Sequence, residues 1–131
     1  MHASPTLWLL FSLKGRISRR VYWQGVIGVL CLNTALYFQA LRIVHDYQVL
    51  QLMEQEVDGW RPLVMMVAAI ATLSIHIAVS VKRLHDFGYS GFLAIAVAIP
   101  LLNIIFAIWA GLVPGSGGPN AYGATTDEPV R

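Results

Sequence analysis

The sequence predicts an all-α integral membrane protein, one domain over 1–131, with three transmembrane helices and short interfacial helices. Hydrophobic residues make up 56% of it and charged residues 12%, whereas soluble domains carry about 25% charged residues. Uncharged apolar stretches lie at 21–41, 62–81 and 92–113. Each is long enough to span, because a bilayer core of about 30 Å needs roughly 20 helical residues. A soluble bundle is disfavoured, since too few polar residues remain to cover three helices that are apolar all round.

The first elements follow from local signals. The apolar run from Leu7 to Leu13 is too short to span and is expected to lie at the headgroup level as a short helix. Ser18 suits the N-cap of the first spanning helix. The segment 42–60 places apolar residues at helical spacing, which predicts an amphipathic helix that either extends the first helix or forms a separate surface piece.

Prolines and glycines set the later boundaries. Pro62 suits the first turn of the second helix. Pro100 is expected to kink the third helix, because it removes a backbone hydrogen bond. The glycine- and proline-rich run that starts at Pro114 ends that helix, and the tail 115–131 is predicted to be unstructured.

The charge distribution predicts an orientation. With three crossings, six Lys/Arg residues lie on one side and three on the other. The richer side is expected to be cytoplasmic, which puts the N-terminus in the cytoplasm and the C-terminus outside. The richer group is Lys14, Arg16, Arg19, Arg20, Lys82 and Arg83, and the other is Arg42, Arg61 and Arg131.

Several functional classes are disfavoured. The net charge of +2 is too small to predict a nucleic-acid partner. Cys31 is the only cysteine and lies in an apolar run, so it is expected to be a small hydrophobic residue. The four histidines are scattered, and no phosphate loop, nucleophile elbow or metal-ligand spacing is present. The sequence therefore predicts no cofactor, no metal and no enzymatic activity.

The densest polar cluster is Lys82-Arg83-Leu84-His85-Asp86. Arg83 and Asp86 are three residues apart, and Lys82 and Asp86 are four apart, so either pair can meet on one helix face. In one interpretation these charges only stop translocation and snorkel to the headgroups. In the other they lock a structured loop in which His85 is free to bind or titrate.

A second cluster, Gly15 to Arg20, precedes Tyr22 and Trp23. It is interpreted as a positive-inside anchor with interfacial aromatic residues. The alternative is a site for anionic lipid or phosphate built on the three arginines Arg16, Arg19 and Arg20, because arginine forks suit phosphate oxygens.

Three polar residues fall inside the apolar stretches. Asn33 is expected about 19 Å beyond Arg20 along its helix, and Asn103 about 18 Å beyond Gly91. The two side chains therefore lie at similar depth, where an interhelical hydrogen bond can form. An intramembrane histidine is a functional candidate by default. His76 is nonetheless expected to be neutral and hydrogen-bonded to Gln24.

Three motifs together resemble a known family. They are Gly15-Arg16-Ile17-Ser18-Arg19 with Tyr22-Trp23; Lys82 to Asp86 followed by Gly88 to Phe92; and Pro114-Gly115 with Gly118 to Gly123, which includes Asn120 and Tyr122. The chain resembles domain of unknown function 805 (DUF805), the YhaH-like small bacterial proteins of the inner (plasma) membrane, from about Leu10 to Gly123. The resemblance implies a multi-spanning protein without an assigned activity. Phe92 replaces the family's usual tryptophan, and the acidic-proline pair after Tyr122-Gly123 comes later than in the family.

The leading hypothesis is a non-enzymatic membrane protein that acts through contacts with anionic lipids or a partner membrane protein, including another copy of itself. One alternative is a subunit of an oligomeric transporter or channel lined by Asn33, His76 and Asn103. Another is an enzyme acting on lipid headgroups, with His85 as general base oriented by Asp86.

Overall fold

Helices dominate the fold. The computed structural model describes residues 4–53 and 59–129, and the all-α prediction is confirmed over this part of the chain, which contains no strand. The helices are α1 (Pro5–Phe11), α2 (Arg19–Leu52), α3 (Trp60–Asp86), a 3-10 helix (Gly91–Ala98) and α4 (Pro100–Leu112).

The short helix α1 is capped by Ser4, whose Oγ accepts a hydrogen bond from the backbone N–H of Leu7 at 3.2 Å. Pro5 occupies the first turn, where its missing N–H costs nothing. Trp8 is buried and its Nε1 donates to the carbonyl of Lys14 at 2.9 Å. These contacts hold α1 against the rest of the chain through one aromatic side chain.

Helices α2 and α3 form a long antiparallel hairpin. Ser18 caps α2 as predicted, since its Oγ accepts from the N–H of Val21 at 3.4 Å. The helix continues to Leu52, so the amphipathic segment is an extension of it as far as that residue. The rest of that segment at 54–58, with Glu54, Glu56 and Asp58, lies outside the described residues. Pro62 lies in the first turn of α3, as predicted.

Both long helices could cross a membrane by length and composition. Only 6% of the most apolar window of α2 and 33% of that of α3 are buried within the protein. The core helix of a soluble protein would be mostly buried. Large apolar side chains such as Phe38 and Ile70 instead face outward.

The predicted third transmembrane helix at 92–113 is not confirmed, and a single helix there is wrong. The chain is extended at Ile99, with φ −105° and ψ 116°, and Pro100 starts a new helix. Proline breaks the segment instead of kinking it, because its ring clashes with a preceding turn and it has no N–H to donate. The residue before a proline is driven to extended conformations for a related steric reason.

The 3-10 helix begins, and α4 ends, at the same end of the hairpin. The 3-10 helix begins with Gly91 packed against Val81 near the end of α3. Helix α4 ends near the same place, because the Nε of Arg83 donates to the carbonyl of Ala110 at 2.8 Å. The expectation that the two termini lie on opposite sides is therefore not confirmed.

The tail after α4 has no regular helix or strand among residues 113–129, but it is not unstructured. It folds back onto the helix ends, where the backbone N–H of Asp127 donates to the carbonyl of Arg16 at 2.9 Å. The Oδ1 of Asp127 accepts from the N–H of Ser18 at 2.7 Å. These contacts bring both ends of the described chain to one end of the hairpin, which we call the charged end.

Candidate functional site

A buried ion cluster of Arg16, Arg83 and Asp86 lies at the charged end. Its members are 2%, 0% and 3% exposed. The Nε and Nη2 of Arg16 donate to Oδ1 of Asp86 at 3.1 and 2.9 Å. The Nη1 of Arg83 donates to Oδ2 of the same carboxylate at 2.6 Å. One carboxylate thus holds two guanidinium groups, and the interpretation of Arg83 as a snorkelling surface charge is wrong.

Backbone carbonyls and the Ser116 hydroxyl accept the remaining hydrogen bonds of the two arginines. Arg16 donates to carbonyls of the tail, at Ser116 (3.1 Å), Gly118 (2.8 Å) and Gly123 (3.0 Å). Arg83 donates to carbonyls at Ile17 (3.2 Å), Ala110 (2.8 Å) and Val113 (2.6 Å). A buried charge is tolerated only when it is paired and hydrogen-bonded, so these carbonyls make the cluster possible and tie the tail to α3.

Two glycines make room for the cluster. Gly15 has φ +101°, a left-handed conformation that glycine adopts without a steric penalty, and it turns the chain just before Arg16. At Gly115 a Cβ would lie 1.8 Å from Oδ2 of Asp86. No larger residue fits between the tail and the carboxylate.

Lys82 ties α1 to α3. Its side chain is fully buried, and its Nζ donates to the carbonyls of Trp8 and Ser12. The same ammonium lies 5.4 Å from the centre of the Trp8 ring. Lys82 follows the apolar stretch 62–81, and burial lowers its pKa to about 8. The alternative pairing of Lys82 with Asp86 is not formed, because both oxygens of that carboxylate bind arginines.

His85 belongs to the same end but not to the ion cluster. Its ring stacks on Tyr122, with centroids 3.9 Å apart and planes 4° apart, and its Nδ1 lies 3.2 Å from the carbonyl of Gly15. Desolvation lowers its pKa. Asn120 donates from Nδ2 to the carbonyl of His85 at 2.8 Å. Both carboxylate oxygens of Asp86 accept hydrogen bonds from arginines, so the proposed His85–Asp86 dyad is not formed.

Arg19 and Trp23 take other positions. Arg19 is exposed, with Nη1 3.4 Å from the carbonyl of Leu112, whereas the Nε1 of Trp23 donates to the carbonyl of Gly111 at 3.2 Å. Arg16 is saturated by protein oxygens, so the suggested phosphate site that combines Arg16 with Arg19 and Arg20 is not present. The exposed cations at this end are instead Lys14, Arg19 and Arg20.

Asn33, His76 and Asn103 line one cavity of about 250 Å³ between α2, α3 and α4. Asn33 does not bond to Asn103; its Oδ1 accepts from Oγ1 of Thr72 at 3.0 Å. The Nε2 of His76 is buried and has no partner among the described residues, so the expected bond to Gln24 is absent. Thr72 carried no signal in sequence, because a threonine in an apolar helix usually bonds to its own backbone.

All three sequence motifs converge on the charged end, although about 100 residues separate the first from the last. The residues that sequence reasoning missed there are Lys82, Ser116 and Asp127. Lys82 could have been found from its place next to Arg83. Ser116 and Asp127 lie in the tail, where composition gives no signal of a contact.

The comparisons with known proteins identify a family for the chain. A family model for proteins of unknown function, DUF805, matches residues 10–124, a range that includes all three motifs. No curated protein matches the chain, and no solved structure does. Because the match covers most of its length, the chain belongs to the DUF805 family.

Proposed function

We propose that this protein is a multi-pass protein of the bacterial inner membrane that acts without enzymatic chemistry, by binding anionic lipid headgroups at its charged end. In this arrangement α2 and α3 cross the bilayer, while the 3-10 helix and α4 enter from one side and return to it. The outward-facing apolar side chains of the hairpin support a lipid environment, because water would leave them unfavourably hydrated.

The positive-inside rule orients this arrangement. Lysines and arginines concentrate at the charged end, and Arg42 and Arg61 lie toward the other end of the hairpin. We therefore propose a cytoplasmic charged end, and both termini are then cytoplasmic. Arg131, which the three-crossing arrangement counted on the outer side, lies outside the described residues.

The observation that carries the lipid proposal is that the cations of the charged end fall into a buried group and an exposed group. Arg16, Arg83 and Lys82 are buried and bonded to protein oxygens, whereas Lys14, Arg19 and Arg20 are exposed. Exposed Leu7 and Phe11 on α1 accompany them. Exposed cations beside an apolar helix face are typical of an interface with an anionic bilayer, to which each cation adds about fivefold in affinity.

Lipid analysis of the purified protein tests this proposal. The full chain is extracted from membranes that contain phosphatidylglycerol and phosphatidylethanolamine, and the co-purified lipids are quantified by mass spectrometry. We expect phosphatidylglycerol to be enriched, and the Lys14→Gln, Arg19→Gln, Arg20→Gln triple variant to lose the enrichment. Arg20→Gln and Arg42→Gln form a matched pair of exposed arginines at opposite ends. Equal enrichment in the wild type and the triple variant would overturn the proposal.

A subunit of a transporter or channel is the second candidate. It is favoured by one observation: Asn33, His76 and Asn103 already line one cavity within a single chain. Flux into proteoliposomes that is lost in His76→Ala, Asn33→Ala and Asn103→Ala would support it. Flux that survives all three changes would exclude this cavity as the pathway.

A further inference from the structure

The cavity between α2, α3 and α4 has hydrogen-bonding groups that the described residues leave unused. His76 is 9% exposed, and its Nε2 has no hydrogen-bond partner there. The side-chain amide of Asn33 makes one hydrogen bond among the described residues, with Oγ1 of Thr72, whose single proton is shared with the carbonyl of Ala69 at 2.9 Å, so part of the hydrogen-bonding capacity of the amide remains. A buried imidazole nitrogen without a partner is unfavourable, so an occupant that bonds to it would stabilise the site.

The lining excludes a charged occupant. Its polar members are Trp23, Asn33, His76 and Asn103, and its other members are apolar. Neither a carboxylate nor an arginine or lysine side chain is among them. A phosphate or ammonium group here would be desolvated without a counter-charge, which is strongly unfavourable. Hydroxyl and carbonyl oxygens suit amides and an imidazole without such a penalty.

The cavity is accessible from the surface that lipid is proposed to cover. Leu30 and Ile104 both line it and are 63% and 60% exposed. Asn33 lies about 19 Å along α2 from Arg20, which is deeper than a charged headgroup reaches. The volume of the cavity, about 250 Å³, equals that of roughly eight water molecules at ~30 Å³ each, which is enough for a small polar head.

We infer that this cavity binds the uncharged, hydroxyl- or carbonyl-bearing head of a lipid-soluble molecule, with His76 and the Asn33 and Asn103 amides as its hydrogen-bonding partners. The apolar part of the ligand extends past Leu30 and Ile104 into the bilayer. The site rests on the proposed membrane location but is independent of lipid binding by Lys14, Arg19 and Arg20.

Photo-crosslinking of the full chain in nanodiscs tests this inference. Two probes carry the same diazirine in the same acyl chain, close to the glycerol ester: a diacylglycerol, whose head is a hydroxyl, and the corresponding phosphatidic acid. Labelled residues are identified by mass spectrometry. We expect the diacylglycerol to label the region around Leu30 and Ile104 at least about threefold more strongly than phosphatidic acid, as loss of an average intramembrane hydrogen bond implies.

Variants and a reference position complete the test. His76→Phe and Asn103→Leu should each lower diacylglycerol labelling about threefold. Ser74→Ala, an exposed serine on the same helix, should leave it unchanged. Phe38 faces outward on α2 away from the cavity, and both probes should label it equally.

Two results would overturn the site. One is equal labelling at the cavity by both probes, which is the result expected if the cavity holds only water. The other is unchanged labelling in a His76→Phe protein whose unfolding temperature and elution volume match those of the wild type. A third result, no labelling of Phe38 by either probe, would overturn the membrane location and the site with it.

Discussion

At the residue scale, Asp86 is the group on which most of the charged end depends. Its two oxygens hold Arg16 and Arg83, its backbone carbonyl accepts from the N–H of Ser116 at 2.8 Å, and Gly115 lies against its side chain. The sequence predicted the Arg83–Asp86 pair, because residues three apart share a helix face. It could not predict the Arg16–Asp86 pair, since no local pattern relates residues 70 positions apart.

Replacing Asp86 tests the buried ion cluster. Asp86→Asn leaves two buried guanidinium groups without a counter-charge and should lower the free energy of unfolding by about 3–5 kcal/mol. The matched control is Asp46→Asn, because Asp46 pairs with Arg61 at 3.0 Å but its side chain is 45% exposed. That change should cost less than about 1 kcal/mol. Unfolding in detergent, followed by circular dichroism, measures both; similar losses would contradict the role of the cluster.

A pair of tail glycines tests how tightly the tail packs. Gly115→Ala would drive a methyl group into the Asp86 carboxylate and should lower the unfolding temperature and loosen the tail. At Gly117 an added Cβ meets nothing within 4 Å, so Gly117→Ala should stay within about 0.5 kcal/mol of the wild type. Equal unfolding temperatures for the two variants would show that the tail does not press on Asp86.

At the element scale, local signals predicted the two long helices and failed for the third segment. Ser18 and Pro62 mark helix starts, and the uncharged stretches 21–41 and 62–81 give the lengths. The stretch 92–113 has the same length and hydropathy as a spanning helix, so those measures could not reveal the break. Pro100 predicts a kink within one helix, but the extended residue before it, Ile99, lets the chain reverse.

Helix α1 should depend on Lys82. Lys82→Met removes the ammonium that donates to the carbonyls of Trp8 and Ser12. Methionine cannot donate these hydrogen bonds, so α1 should detach while α2 and α3 persist. Hydrogen exchange measured by mass spectrometry should become faster in residues 5–13 and remain unchanged in residues 25–40. Arg20→Met, at an exposed cation of the same end, serves as the control. Faster exchange throughout the chain would mean that Lys82 supports the whole fold instead.

At the scale of the whole molecule, the out-and-back path of the third segment decides the topology. If the charged end is cytoplasmic, as proposed, a C-terminal green fluorescent protein fusion should be fluorescent in bacteria and a C-terminal alkaline phosphatase fusion inactive. An active phosphatase fusion would contradict either the shared end or its orientation. An N-terminal fusion tested in parallel separates these outcomes, since opposite results at the two termini would exclude a shared end.

The tail that completes the hydrogen bonding of Arg16 is synthesised long after that residue. Gly118 and Gly123 follow Arg16 by about 100 residues, so at 5–20 residues per second roughly 5–20 s pass before these acceptors exist. Arg16 is therefore expected to wait during biosynthesis without the tail carbonyls that it binds in the folded protein. A chain that stops at Val113 keeps every helix but never supplies those oxygens, and pulse-chase labelling should find it degraded much faster than the full-length protein.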